Sequence, residues 1–173
     1  MIITDPKKFI KRYVGLKMET DGLRERLERV RNDELLPGAK GDGNVGGGRS
    51  GAAAGDQLGA KVIRRMDIEE RLLPLLEEKE RQMELIEEAV EVSCDPMQRA
   101  VLRRKYIDFD GYREPTWPQV TLAICKSDEE KDVKNITRIH GRALQAVGWL
   151  IQEDEAFQID DGWRPREYEK SHP

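Results

Sequence analysis

The sequence predicts an all-α protein in which a long N-terminal helical hairpin, coiled-coil-like in its pattern, precedes a compact trihelical domain. Three observations predict it. Apolar residues recur at helical spacing along most of the chain. Alternating runs of Val, Ile, Thr and Tyr, the signature of strands, are nearly absent, and aromatic residues make up only 6%. Hydrophobic and charged residues are almost balanced at 38% and 37%, so the apolar material has to be gathered into stripes.

The first element occupies residues 1–36. It opens at "TDPKKF", where Asp5 is suited to the N-cap and Pro6 to the first helical position. Phe9, Leu16, Leu23 and Val30 recur every seven residues, with Tyr13, Thr20 and Leu27 four places after the first three. That heptad stripe predicts a helix from Pro6 to Leu35, weakened at Gly15 and Gly22. At 1.5 Å per residue it would be roughly 45 Å long and one-sided, so it needs a partner. Residues 37–56, with "PGAKGDGNVGGGRSGAAAG", crowd helix-stopping residues together and predict a flexible linker. Gly41, Gly43 and Gly46 match a GxGxxG pattern, but it follows a charged helix instead of a buried strand, which excludes a dinucleotide turn. No GK[ST] follows, so a P-loop is excluded too.

The partner is residues 57–94, a second long helix with Leu58, Val62, Met66, Leu73, Leu76, Met83, Ile86 and Val90 as its seam. Pairs such as Glu77 with Arg81 support the outer face. Pro74 removes a backbone hydrogen bond and is expected to bend or split this helix. The hairpin is expected to bury its seams within the chain or across a homodimer.

Residues 95–152 form the trihelical unit. Asp95 and Pro96 repeat the opening arrangement of Asp5 and Pro6, and Met97, Ala100, Val101, Leu102 and Tyr106 supply an apolar side. The loop "DFDGYREP" follows; its oxygen ligands do not continue, which rules out a calcium loop. Thr116 and Gln119 make a TxxQ capping box, with Trp117, Val120 and Ile124 inward. After "KSDEEK" comes a long basic helix. Ile136, Ile139, Ala143 and Val147 pack it, and Trp149 is expected to close the core. Lys131, Lys134, Asn135 and Arg138 then project outward near its start.

This size and order are those of a helix-turn-helix domain, whose last helix lies in the major groove. Arg and Asn can bond guanine and adenine in two places each, so Arg138 and Asn135 are candidates for base contact. Lys134, Lys131, Arg142 and Arg113 are candidates for phosphate contact, with Thr137 and His140 completing the DNA-binding set. Charge agrees locally. Residues 96–152 carry ten basic and seven acidic residues, a net of +3, although the whole chain is at −4. Asp128, Glu129, Glu130 and Asp132 add acid just before that helix. They either sit near DNA phosphates or form a loop held away from the groove, with Asp132 as the cap. Residues 153–173 read as a solvated acidic tail.

Cys94 and Cys125 stand far apart without metal-ligand spacing, so no disulfide framework, metal or cofactor is expected. No nucleophile motif is present, which argues against an enzyme. No apolar run suits a signal peptide or a membrane span, so a cytoplasmic setting is expected.

The succession "VLRRKYID", "TWPQVTLAI" and "NITRIHGRALQAV" resembles phage and prophage proteins with a helix-turn-helix similar to region 4 of sigma-70 factors. These include RinA- and ArpU-type regulators of late genes. Leu102 to Asp108, Trp117, and Arg138 to Leu144 carry the likeness. It implies a transcriptional regulator in a bacterial host cell, with double-stranded DNA and RNA polymerase as partners. Two rivals stand beside it: a DNA-packaging component like a small terminase subunit, and a helical protein–protein adaptor.

Overall fold

The computed structural model describes residues 2–32 and 53–159. Among them are five α-helices and no strand, as the sequence predicts: α1 (Pro6–Asn32), α2 (Ala53–Ser93), α3 (Pro96–Leu102), α4 (Trp117–Cys125) and α5 (Glu130–Glu153). The GxGxxG pattern and most of the Gly-rich stretch lie outside the described residues. The described residues form two compact units, residues 18–32 with 53–81, and residues 2–17 with 82–159.

In the first of these units the later part of α1 runs along the earlier part of α2. Thr20, Leu27 and Leu72 are buried, and Glu19–Lys79 (2.7 Å), Arg24–Glu80 (2.6 Å) and Arg31–Glu69 (3.0 Å) join the two helices at their margins. The α1 seam therefore follows its heptads. The α2 seam does so only toward its C-terminal end, where Met83, Ile86 and Val90 turn inward; earlier, Leu72 and not Leu73 is buried, while Val62, Ile63 and Met66 are exposed. Two further expectations are corrected here. Helix α2 begins at Ala53, inside the stretch read as linker, because the alanines at 53 and 54 are strong helix formers that outweigh Gly55. Pro74 does not split α2, which runs through it. Its ring lies on an exposed side, where water can satisfy the carbonyl that lost its donor.

The other unit holds the larger core. Phe9, Ile10, Tyr13 and Leu16 of α1 meet Ile86, Ala89 and Val90 of α2, Leu102 and Tyr106, and Ala143, Val147 and Ile151 of α5. The trihelical segment thus shares its core with the ends of the long helices, and Asp95 marks a turn, not a domain boundary. Gly148 permits this approach: a Cβ there would come within 3.3 Å of the Pro6 ring. The expected solvated tail is also corrected over its first part. After a 3₁₀ turn at Glu155–Phe157, Phe157 and Ile159 are buried in the same core, and the Ile3 N–H donates to the Ile159 carbonyl at 2.9 Å.

The caps form as their residues suggest. Asp5 Oδ1 accepts from the Lys7 and Lys8 N–H groups, Asp95 Oδ1 accepts from the Gln98 N–H, and Gln119 Oε1 accepts from the Thr116 N–H at 2.8 Å. Beyond α3 the helix widens into a π turn at Arg103–Ile107, closed by the Asp108 N–H donating to the Arg103 carbonyl. The extra residue per turn lets Lys105, Tyr106 and Ile107 all join Val101 and Leu102 on the inside. Met97 and Ala100, expected on that side, stay exposed.

Candidate nucleic-acid interface

Helix α5 has two sharply different sides. Ile136, Ala143 and Val147 are fully buried, and Ile139 packs beside Ile136 in a small second core with Val101, Val120, Trp117 and Ile124. On the opposite side Lys131, Lys134, Asn135, Arg138, Arg142 and Gln145 are all exposed, spaced three and four apart. From Lys131 to Arg142 this stripe covers about 16 Å of helix, a length suited to a groove about 12 Å wide. Asn135, Arg138 and Arg142 have no hydrogen-bond or ion-pair partner among the described residues.

The approach to α5 places its acids at the start of the helix. Helix α4 ends at Cys125, Lys126 adopts a left-handed conformation (φ 59°), and α5 starts at Glu130, so the turn is four residues long. Asp132 is not the cap. It lies in the first helical turn, where its carboxylate accepts from the Ser127 hydroxyl at 2.7 Å, and that hydroxyl accepts from the Glu129 N–H. Glu130 and Asp132 thereby sit at the positive end of the helix dipole. Lys131 pairs with Glu129 (3.6 Å) and Lys134 with Glu130 (2.6 Å). All four side chains are well exposed, and such surface pairs contribute about 0–1 kcal/mol, so a phosphate can displace the carboxylate.

Three other expected site residues are placed elsewhere. His140 turns from the outer stripe into the domain, its Nε2 3.0 Å from the Tyr106 hydroxyl and its ring edge-on to Trp117 at 4.7 Å. Burial, reinforced by Lys7 and Lys105, pushes its pKa down to about 4, so it is neutral near pH 7 and brings no charge to a phosphate. Burial likewise raises the Tyr106 phenol to about 12. Thr137 is half-buried and its hydroxyl is bonded to the Val133 and Lys134 carbonyls of its own helix. Arg113 is exposed in the loop before α4, in a groove apart from the α5 stripe. Trp149, expected in the core, is 66% exposed at the far end of that stripe.

No family model, curated protein or solved structure matches this chain. The functional reading therefore rests on the geometry and on the residues themselves.

Sequence reasoning missed three cations of the Arg113 groove, Lys17 of α1, Arg104 and Lys126. Arg104 was legible only as one arginine of a helical pair, and Lys126 as part of a polar turn. Lys105 was equally hidden: nearly buried, it donates to the Pro115 carbonyl, lies 3.5 Å from Glu114 and sits over the Trp117 ring at 5.0 Å. It pins the loop that carries Arg113 against the start of α4.

Proposed function

We propose that this protein binds duplex DNA through α5, used as the recognition helix of a helix-turn-helix made by α4, the Lys126–Glu129 turn and α5, and that it regulates transcription in the manner of the phage proteins it resembles. The observation that carries this reading is the outer side of α5, where Asn135, Arg138 and Arg142 stand exposed and unpaired among the described residues while buried Ile136, Ala143 and Val147 fix the helix behind them. The four-residue turn supports it, being the length that helix-turn-helix units use.

The roles follow from side-chain chemistry. Arg138 presents a planar fork to guanine O6 and N7, and Asn135 an amide to adenine N6 and N7. Lys131, Lys134 and Arg142 meet phosphates, the two lysines after leaving Glu129 and Glu130. RNA polymerase is the second partner in this reading.

Selection of bound duplexes from a random-sequence pool tests it. Wild-type protein enriches a defined motif. Arg138→Ala then loses preference at one base position, at about 1–3 kcal/mol, whereas Lys134→Ala weakens all sequences alike. No enrichment at low salt, or the same loss from both substitutions, overturns the assignment. The exposed Val62, Ile63 and Met66 of α2 favour one rival, an oligomeric DNA-packaging subunit, which solution mass separates from a regulator.

A further inference from the structure

Helix α4 has a second wall, opposite Val120 and Ile124, made by Gln119, Leu122, Ala123 and Lys126. With the loop before α4 and the π turn it lines an open groove of about 1220 Å³, into which Arg104 and Arg113 also project. Three carboxylates border the groove, but two are already matched by cations that do not line it. Asp108 accepts from Arg103 Nε and Nη2 at 2.8 and 3.0 Å, and Glu114 lies 3.1 Å from Lys11 and 3.5 Å from Lys105. Asp110 is left to offset Lys17, Arg104, Arg113 and Lys126, so the groove presents a net positive field.

We infer that this groove holds the sugar–phosphate backbone flanking the bases read by α5, with Arg104 and Lys126 as phosphate contacts beside Arg113. The inference rests on the DNA-binding reading and extends its footprint. Two features favour a duplex backbone over an acidic protein. Lys126, which lines the groove, is the first residue of the turn into α5, and in helix-turn-helix complexes the helix before the recognition helix is the one that crosses the backbone. Of the large apolar residues lining it, Ile107 is buried and Phe109 is half-buried with Lys17 over its ring, which leaves Leu122 alone well exposed, whereas a protein partner calls for an apolar centre.

Each phosphate neutralised by a cation steepens the dependence of log K on log salt by about 0.9. The test measures binding of the full chain to a random-sequence duplex of roughly 30 base pairs, about three helical turns, at salt from roughly 50 to 200 mM. Arg104→Gln and Lys126→Gln are each expected to flatten the slope by about 0.9 without altering the preferred motif. Asp110→Asn is expected to tighten binding several-fold, a gain that misfolding cannot produce. Unchanged slopes in both glutamine variants, with Lys134→Gln still flattening the slope, overturn the groove assignment alone and leave the groove to a protein partner. Weaker or unchanged binding by Asp110→Asn also overturns it. Absence of any binding by wild type at low salt removes the DNA-binding reading itself.

Discussion

At the scale of single residues, His140 shows how a side chain that looks polar in sequence becomes part of the core. Its folded pKa of about 4 lies below the ordinary 6.5, so between those values the unfolded chain takes up a proton that the folded chain refuses. Its contribution to stability is therefore complete above pH 6.5 and declines as pH falls toward 4. Thermal unfolding across that interval is expected to lose less stability in His140→Gln than in wild type; equal losses would place the acid sensitivity in other groups. The "RIHGRAL" string places His140 two residues from Arg138 and Arg142, about 160° from either once the 100° turn per residue is applied, so its separation from the outer stripe was legible. Its partners were not, since Tyr106 and Trp117 reach it through tertiary packing. The exposure of Asn135 and Arg138, the pair proposed to contact bases, was the most legible part of the candidate site, because they flank Ile136 and Ile139 on a regular helix. Trp149 was the least: a large aromatic at the edge of an apolar stripe resembles a core residue until the neighbouring Gly148 is seen to take the inward position against Pro6.

At the scale of elements, the starts of α1, α3 and α4 were read well, those of α2 and α5 less so, and long-range pairing poorly. Asp5 and Asp95 accept from, and Thr116 donates to, groups two or three residues away, so their sequence neighbourhood contains the whole interaction. The α2 seam depends on where α1 lies, and no local signal distinguishes Leu72 from Leu73. Pro74 gives a direct measurement. The helix continues past it although the Glu70 carbonyl loses its usual i+4 donor, so Pro74→Ala restores a hydrogen bond on an exposed face. Urea denaturation is expected to show a gain of about 1–3 kcal/mol for Pro74→Ala, against a loss of about 1 kcal/mol for the cap variant Asp95→Ala. No gain at Pro74 would mean that the helix is already distorted there enough to accommodate the ring.

At the scale of the whole molecule, charge and surface decide between the readings. A chain with net charge −4 that still binds DNA must do so through a local positive surface, so its affinity is expected to be weak for random sequence and steeply dependent on salt. The exposed Val62, Ile63 and Met66 lie on one stretch of α2 and suit contact with a second copy. Light scattering is expected to give a dimer, reduced to a monomer by Met66→Glu; a ring of many subunits would support the packaging alternative. The all-α class was legible because helical periodicity is local. The grouping of residues 2–17 with residues 82–159 was not, because nothing in either segment names the other.

That grouping bears on how the protein is made. Ile3 and Ile159 lie side by side in one core, so Ile3 cannot reach its final surroundings until the segment through Ile159 has been synthesised, a delay on the order of ten seconds. During that interval Phe9, Ile10 and Leu16 have no permanent cover, which makes the nascent chain a substrate for chaperones and predicts that truncation shortly before Phe157 yields an aggregating product.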